Sequence, residues 1–230
     1  MVILSKGDRL NLKLKVAKEA AKLIKDGMVV GLGSGSTAAM FIRELGSRIE
    51  EEELTVFGIP TSFESKMLAL QYGIPLVSLD EYDVDIAIDG ADEVEKETLF
   101  LIKGGGGCHT MEKIVDYNAK EFVVIVDESK IKNKLSYPIP VEVLPQAYRV
   151  VMKKLKDMGG EPIIRLAERK RGPVITDNGN MIIDVSMEID DAVSLESEIN
   201  NIPGVVENGI FTKVDKVLVA TKKGIKTLKK

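Results

Sequence analysis

Short apolar runs alternate with stretches of helical periodicity through the first half of the chain. The apolar runs lie at residues 28–32, 54–59, 74–77, 84–88, 99–102 and 122–126. The stretches with apolar residues at helical spacing lie at residues 8–26, 36–49, 62–72 and 110–119. Because alternating strand and helix signals are typical of βαβ units, this pattern predicts an α/β fold. Its centre is predicted to be a Rossmann-like wound, mainly parallel sheet.

A different pattern begins near Lys132. Residues 146–158 have helical periodicity that ends at Gly159, and Asn178-Gly179 lies between two apolar runs. An Asn-Gly pair in that setting predicts a β-hairpin. Together these signals indicate a smaller α+β (ferredoxin-like) domain over residues 136–208.

The predicted catalytic α/β domain then comprises residues 1–135 plus 209–230. Within it, residues 210–211 and 217–220 are expected to return as strands. The lysine-rich end, residues 222–230, is predicted to form the last turn of a terminal helix, where cations are favoured and stay solvated.

Composition excludes several classes of protein. The chain has 230 residues, 44% of them hydrophobic, and a net charge of −4, which does not favour nucleic acid or an anionic membrane as partner. The one cysteine, Cys108, cannot form an internal disulfide. No apolar run approaches the ~18–20 residues that span a bilayer, and the first residues are too short an apolar segment for a secretory signal. We therefore expect a soluble cytoplasmic protein.

A glycine-rich loop follows the first apolar run and precedes a helical stretch. Glycines let the backbone pass close to a ligand, the start of the helix offers backbone N–H groups, and hydroxyls add donors. The residues with these roles are Gly33, Ser34, Gly35, Ser36 and Thr37. The loop therefore predicts an anion site.

The kind of anion is narrowed by what the loop lacks. The loop lacks the lysine that a nucleotide-binding P-loop requires, so it is not a P-loop. Gly33-x-Gly35-x-x-Ala38 satisfies a relaxed dinucleotide fingerprint, but the next apolar run ends in Gly58-Ile-Pro-Thr61 without the acidic residue that binds ribose. A monophosphate is favoured over a dinucleotide, and a plain glycine-rich turn is the third alternative.

Carboxylates and a lysine follow two neighbouring apolar runs. Asp89 and Asp92 follow one run, Lys103 follows the next, and Glu112 lies in the first turns of the helical stretch after it. The lysine precedes a row of glycines, Gly104, Gly105, Gly106 and Gly107. Carboxylates, an ammonium and exposed backbone N–H groups suit proton transfer on a small polar substrate.

Each of these residues also has a simpler interpretation. Aspartates often cap turns, Asp89, Asp92 and Glu93 together offer oxygen ligands for Mg²⁺, and an acid such as Glu112 is favoured at a helix start by the dipole. Metal binding is the less favoured alternative, since the chain has one histidine and one cysteine. His109 and Cys108 are interpreted as bystanders.

Taken in order, these motifs resemble ribose-5-phosphate isomerase, type A. The resemblance rests on Gly33-Ser-Gly-Ser-Thr37, Asp89-Gly-Ala-Asp-Glu93, Lys103-Gly-Gly-Gly106 and Thr110-x-Glu112-Lys113. Later segments also resemble the family: Ser129-Lys130, Pro140-Val-Glu-Val-Leu-Pro145, Thr176-Asp-Asn-Gly-Asn180 and Ile202-Pro-Gly-Val205. The match extends from about residue 14 to the C-terminus.

The resemblance implies an aldose–ketose isomerase that interconverts D-ribose 5-phosphate and D-ribulose 5-phosphate through an enediolate, in the non-oxidative pentose phosphate pathway. It implies that Glu112 is the base and that Asp89, Asp92 and Lys103 assist ring opening and bind sugar hydroxyls. The phosphate would be held by Ser34, Ser36, Thr37 and Lys130, with Lys15 a further candidate. It also implies no cofactor, no metal, and a homodimer or homotetramer.

The chain departs from the family pattern at two places. Ser34 stands where threonine is usual, which keeps the hydroxyl. Gly107-Cys108-His109 stands where Ala-Ala and a hydrophobic residue are usual, which bears on loop stiffness and the pH optimum.

Three rival functions remain at this point. A coenzyme A transferase would use a glutamate as nucleophile, and an amino-sugar phosphate deaminase would share the phosphate loop. A sugar-phosphate-sensing regulator would bind without turnover, although no basic DNA-binding segment precedes the first helix.

Overall fold

The structure is a computed structural model that describes residues 6–229. The apolar start of the chain, in which no secretory signal was recognised, lies largely outside these residues. The helices are α1 Lys6–Ala21, α2 Ser36–Glu52, α3 Phe63–Gln71, α4 His109–Asn118, α5 Tyr148–Asp157 and α6 Ala192–Asn200. Within residues 6–229, none of the helices is both long and apolar enough to cross a membrane.

The strands are mostly short, and many lie close to the predicted apolar runs. In chain order they are β1 Val29–Leu32, β2 Phe57–Pro60, β3 Ile86–Asp89, β4 Glu93–Glu95, β5 Leu101–Ile102, β6 Glu121–Asp127, β7 Ile131–Lys132, β8 Ile139–Val143, β9 Glu161–Ile164, β10 Met181–Ser186, β11 Val205–Asn208, β12 Ile210–Phe211, β13 Lys216–Thr221 and β14 Gly224–Lys229.

The chain forms two compact units. The first contains the residues up to Ala91, Met111–Ile131 and those from Val214 on. The second contains Asp92–Thr110 and Lys132–Lys213.

A six-stranded sheet forms the centre of the first unit, in the order β14-β13-β6-β3-β1-β2. All neighbouring pairs are parallel except β13 and β14. The chain passes from β1 outward to β2 and then back to β3 on the other side of β1, so the strand order reverses between β1 and β3. In wound α/β sheets, ligands bind at the carboxyl ends of the strands beside such a reversal.

Close packing of α4 on this sheet depends on a glycine. A Cβ built on Gly31 of β1 would lie 2.8 Å from Cγ1 of Val115 and 2.9 Å from Cβ of Ala87. Only a residue without a side chain leaves room for Val115 at this point. The strands β1 and β3 are buried along their whole length, as is usual in a parallel sheet covered on both faces.

The second unit contains a βαββαβ arrangement made of β8, α5, β9, β10, α6 and β11. Its four strands are antiparallel, in the order β11-β8-β10-β9. This order and connectivity are those of a ferredoxin-like fold. The predicted fold class, a wound parallel sheet with a smaller α+β unit, is therefore confirmed.

A smaller group of strands also belongs to the second unit. β5 pairs antiparallel with both β12 and β4, and the N–H of Lys96 donates to the carbonyl of Lys132. The compact units place residues 92–110, 132–135 and 209–213 in the second unit, whereas the predicted domain boundaries, which stay a prediction, placed them with the parallel sheet. The reason is that β5 and β12 are two residues long, too short for periodicity to distinguish their partners.

Two local predictions are corrected. The lysine-rich end was predicted to be helical, but it forms β14, which pairs with β13 across a turn that contains Gly224. Asn178-Gly179 does form a tight turn, in which the N–H of Gly179 donates to the carbonyl of Thr176. However, its flanks meet only in a bridge between Ile175 and Met181, and β10 pairs with β8 and β9 instead.

Candidate active site

The predicted anion loop lies in the first unit, where β1 ends and α2 begins. Gly35 takes a positive φ of 87° and stands directly before α2, a conformation that glycine adopts without strain. As a glycine, Gly35 has no side chain to cap the helix, and its own N–H donates to Oε2 of Glu64 at 3.3 Å. The first N–H groups of an α-helix have no partner within the helix, so they are available to an anion.

Asp89 fixes the shape of this loop. It ends β3, is fully buried, and its Oδ1 accepts hydrogen bonds from the N–H groups of Ser34 (3.0 Å) and Gly90 (2.6 Å). A Cβ on Gly33 would lie 2.2 Å from the same Oδ1 and 2.6 Å from the Asp89 Cα. Glycine is therefore required at position 33 for the loop to pass over this carboxylate.

The Ser34 hydroxyl lies against two hydroxyls that the sequence did not single out. It is 2.8 Å from Oγ1 of Thr61 and donates to Oγ of Ser62 at 2.6 Å, in the turn between β2 and α3. Thr61 in turn donates to the carbonyl of Leu32 at the end of β1. The sequence signal for these contacts was the pair Thr61-Ser62 just after the second apolar run. Because adjacent parallel strands end at the same edge of a sheet, this pair could be expected beside the anion loop.

A lysine of α1 reaches the same loop. Nζ of Lys13 donates to Oγ of Ser36 at 2.7 Å. Lys15, the candidate from the sequence, is exposed on α1 and lies two residues further along, on the opposite side of a helix with 3.6 residues per turn. The cation beside the anion loop is therefore Lys13.

Glu112 lies in the first turn of α4 and only 6% of it is exposed. The strands β3 and β6 are parallel, and α4 directly precedes β6, so this helix runs back along the sheet. Its N-terminal turn is thus at the carboxyl edge, where β1 and β3 end in the anion loop and Asp89. The same helix also buries Asp116, which the sequence did not single out.

Lys130 is near this edge too. It ends a short 3₁₀ helix, Glu128–Lys130, that follows β6, and it is half-buried. The carboxylate of Asp127 accepts hydrogen bonds from both the N–H and the hydroxyl of Ser129, which fixes the start of this turn.

The second unit contains the lysine and the glycine loop. Lys103 is 2% exposed, and its Nζ lies 5.5 Å from the centre of the Phe211 ring. Its backbone N–H donates to the carbonyl of Gly209 at 2.9 Å. Phe211 belongs to β12, so the strand that pairs with β5 also holds the lysine side chain.

Asp92 binds the glycine loop within the second unit. Its Oδ2 accepts a hydrogen bond from the N–H of Gly105 at 2.7 Å, and a Cβ on Gly105 would lie 2.6 Å from Oδ1. Gly104 has a positive φ of 99°, and a Cβ there would lie 2.7 Å from Nδ1 of His109. His109 is thus packed against the loop, whereas no described atom lies within 4 Å of a Cβ on Gly106.

Glu93 has a structural role in this unit. Its Oε2 accepts hydrogen bonds from the N–H groups of Ser136 (2.7 Å) and Tyr137 (2.8 Å), and the Ser136 hydroxyl donates to Oε1 at 3.1 Å. The pKa of the Tyr137 phenol is raised, mainly by burial and to a smaller degree by the negative charge of Asp92. Among residues 6–229, no group of three or more histidine, cysteine, aspartate or glutamate side chains is placed to hold a metal ion.

A second buried carboxylate, Glu142, is surrounded by neutral donors. It lies on β8 and accepts hydrogen bonds from four side chains, Thr110, Thr176, Asn178 and Asn180. Burial alone raises the pKa of Glu142, but these hydrogen bonds outweigh burial and hold the pKa below its ordinary value. Three of the family-like segments noted in the sequence, those containing Thr110, Glu142 and Thr176, therefore meet at one carboxylate.

The structure thus groups the predicted residues in two sets. In the first unit it places Gly33, Ser34, Gly35, Ser36, Thr37, Asp89, Glu112 and Lys130 at or near the carboxyl edge of the parallel sheet. In the second unit it brings together Asp92, Lys103, Gly104, Gly105 and Gly106.

Comparison with known families gives one clear match. Residues 57–224 match the family described as ribose 5-phosphate isomerase A (phosphoriboisomerase A). The chain is 81% identical over 222 residues to ribose-5-phosphate isomerase A of Methanocaldococcus jannaschii, which covers 96% of this chain and 98% of that protein.

Solved structures give the same result. The structure of the ribose 5-phosphate isomerase A from M. jannaschii superposes with a TM-score of 0.95, covering 96% of this chain and 99% of that one. A D-ribose-5-phosphate isomerase solved in complex with phospho-erythronic acid is 47% identical, with a TM-score of 0.93 and coverage of 96% and 98%.

Proposed function

Because the chain belongs to the ribose 5-phosphate isomerase A family, we propose that it interconverts D-ribose 5-phosphate and D-ribulose 5-phosphate. The observation that carries the proposal is the carboxyl edge of the parallel sheet. There an uncapped helix start and a glycine loop accompany a nearly buried first-turn carboxylate, Glu112. An anion anchor and a base are the two groups that this reaction needs.

The phosphate would be bound by the loop from Gly33 to Thr37. The N–H groups at the start of α2 supply donors and a positive partial charge, and the hydroxyls of Ser36 and Thr37 add to them. Lys13, which already touches Ser36, adds a full positive charge, and we assign a similar role to Lys130. Because the phosphate is remote from the reacting carbons, this binding orients the sugar.

Glu112 is assigned as the base. The reaction moves a proton between C2 and C1 through an enediolate, and one carboxylate can remove the proton from one carbon and return it to the other. Positioned proton transfer of this kind contributes about 10²–10⁴-fold to the rate.

The remaining groups are assigned to ring opening and to the developing charge. The substrate is mostly a closed furanose, so an acid and a base must open it, and Asp89 with Lys103 is the proposed pair. Asp92 would bind a sugar hydroxyl. Negative charge then develops on the carbonyl oxygen, where the Lys103 ammonium and the N–H groups of the glycine loop would stabilise it.

The ligand of the 47% identical relative supports this chemistry. Phospho-erythronic acid has a phosphate at one end and a planar carboxylate at the other, with two oxygens that resemble those of the enediolate. We propose that it binds this chain as a competitive inhibitor.

Three finer assignments are also proposals. The enzyme would use neither a metal nor an organic cofactor, act in the cytoplasm in the pentose phosphate pathway, and form a homodimer or homotetramer. The absence of a metal or cofactor is proposed because side chains alone can perform this proton transfer. The location, the pathway and the oligomeric state are proposed from the family resemblance. Light scattering of the purified protein measures the oligomeric state.

The deciding experiment is the formation of ribulose 5-phosphate from ribose 5-phosphate by purified protein with excess EDTA. We expect turnover that survives chelation. Loss with EDTA and recovery with Mg²⁺ would show a metal-dependent reaction. Binding of pentose phosphate without turnover would favour a regulator, and acyl exchange on coenzyme A thioesters would favour a transferase.

A further inference from the structure

One arginine of the second unit contacts the glycine loop from the side of its carbonyl groups. Arg165 directly follows β9, and its Nη1 donates to the carbonyl of Gly104 at 2.8 Å and to that of Gly105 at 3.2 Å. Its Nε donates to Oδ2 of Asp184 on β10 at 2.8 Å, and Nη2 pairs with Oδ1 of the same residue. The guanidinium is thus held at its rear by a carboxylate while it binds two consecutive carbonyls.

These two contacts determine where the loop's N–H groups point. In a trans peptide, the C=O and the following N–H point in opposite directions. Because the carbonyls of Gly104 and Gly105 point at Arg165, the N–H groups of Gly105 and Gly106 point away from it. The N–H of Gly105 does so, since it donates to Asp92. The side opposite Arg165 is therefore the side of Asp92, to which a sugar hydroxyl is assigned.

The Gly104–Gly105 peptide has partners besides the arginine, because its carbonyl also accepts from the N–H of Gly107 and its N–H donates to Asp92. Among the described contacts, the carbonyl of the Gly105–Gly106 peptide is bound by Arg165 alone. The loop is closed by the bond from the N–H of Gly107 to the carbonyl of Gly104, and Gly105 and Gly106 are exposed. Glycine peptides rotate with little steric resistance, so an exposed pair of them keeps one orientation only if its groups are bound. The side chain of Arg165 is 17% exposed and is fixed by Asp184, and it supplies such binding on the carbonyl side of the loop.

We propose that Arg165 is a positioning residue for the isomerisation: it holds the Gly104 and Gly105 peptides so that the Gly106 N–H is directed at the substrate oxygen that becomes negative. The inference rests on the proposed function, because it concerns the same reaction. Arg165 does not touch the substrate. It acts through the peptide groups that do.

The test compares variants that separate the two halves of this arrangement. Arg165→Met removes both carbonyl contacts, whereas Asp184→Asn keeps the arginine and weakens only its rear support. Arg169→Met changes an exposed arginine on the following loop and serves as the control. Arg165→Lys keeps a positive charge but not the two-carbonyl fork.

Wild-type turnover is measured first, since its absence would overturn the proposed function and not this inference alone. Loss of one oxyanion donor costs about 10²–10³-fold in kcat, so loss of its positioning should cost Arg165→Met about 10- to 100-fold. KM should change little, because the phosphate anchor is intact. Arg169→Met should stay within about 3-fold of wild type, whereas Asp184→Asn and Arg165→Lys, which each keep part of the arrangement, should be intermediate.

A binding measurement excludes a merely structural role. Affinity for phospho-erythronic acid should fall in Arg165→Met by about the same factor as kcat, while affinity for inorganic phosphate should not change. The inference is overturned if Arg169→Met loses as much kcat as Arg165→Met, or if both ligands weaken equally. If Arg165→Met does not fold, Arg165→Lys decides: wild-type kcat and phospho-erythronic acid affinity in that variant also overturn it.

Discussion

The anion loop of the first unit and the glycine loop of the second solve the same problem differently. Both expose backbone N–H groups. The first obtains its shape from the fold, since it joins β1 to α2 beside the strand reversal and bends over Asp89 at the end of the neighbouring strand. The second is held by side chains distant in sequence, among them Arg165.

This difference explains which residues can be changed without loss of the site. A loop built into a βα connection is disturbed mainly by changes that alter the backbone path. A loop held by side chains is disturbed by losing one of those side chains, even when the fold is intact. Four predictions test this view, in order of decreasing effect.

The largest effect is expected at the proposed base. Glu112→Gln keeps the size of the side chain but removes the carboxylate that accepts the proton, so kcat should fall by about 10²–10⁴-fold with KM near wild type. Steady-state kinetics measure both, and Glu51→Gln, an exposed position on α2, is the control. Full activity in Glu112→Gln would show that another residue is the base. The carboxyl edge of the parallel sheet would then no longer be assigned as the place where the reaction occurs.

A pair of glycine substitutions tests the comparison directly. Gly33→Ala puts a Cβ 2.2 Å from Asp89 Oδ1, so the backbone must shift, at a cost of about 1–3 kcal/mol in stability and most of the affinity for phosphate. Gly106→Ala meets no described atom within 4 Å and should fold normally. Thermal unfolding and phosphate binding measure the two effects. Equal destabilisation of both variants would contradict the view that the backbone path constrains the first loop more.

The pH dependence of stability should contain a contribution from Glu142. Burial alone raises the pKa of Glu142, but four donated hydrogen bonds lower it below the ordinary value in the folded state. Such a group binds more protons when unfolded, so its stabilisation is present above the unfolded pKa of about 4.3 and is lost as pH falls through the folded pKa.

Glu142→Gln should therefore lower stability at neutral pH by about 1–3 kcal/mol and make the acid side of the stability profile shallower. Denaturant unfolding between neutral and acidic pH measures this, with the exposed Glu161→Gln as control. An unchanged acid slope would mean that Glu142 is not ionised in the folded protein. Thr110, one of its donors, lies at the start of α4, so the result also bears on the helix that carries Glu112.

The sequence was sufficient for the parts of the site that follow from local pattern. The runs ending at Leu32 and Ile88 are short, mainly apolar segments, and the glycine loop and the acid that follow them were assigned correctly to strand ends. The sequence could not show Arg165, because its role depends on the pairing of β9 with β10 and on a loop 60 residues earlier. Nothing in its local pattern distinguishes it from Arg169 or Arg171.

Other misses have the same origin. Lys13 and Lys15 are both lysines of one amphipathic helix, and only the packing of α1 decides which of them reaches Ser36. The lysine-rich end was interpreted as helical because cations suit a helix C-terminus, but the Gly224 turn pairs it with β13, where tertiary contacts outweigh local preference.

The smallest effect is expected at Thr37, and its size measures how far the first loop depends on backbone groups. Thr37→Ala removes one hydroxyl donor from a site that keeps its helix N–H groups and Lys13, so KM should rise by about 5- to 10-fold, the equivalent of roughly 1 kcal/mol, with kcat little changed. Thr37→Ser keeps the hydroxyl and should restore most of the loss. If Thr37→Ala instead lowered kcat with KM unchanged, the hydroxyl would act on the reacting end of the sugar. The first loop would then depend on its side chains as the second does, and the contrast between them would not hold.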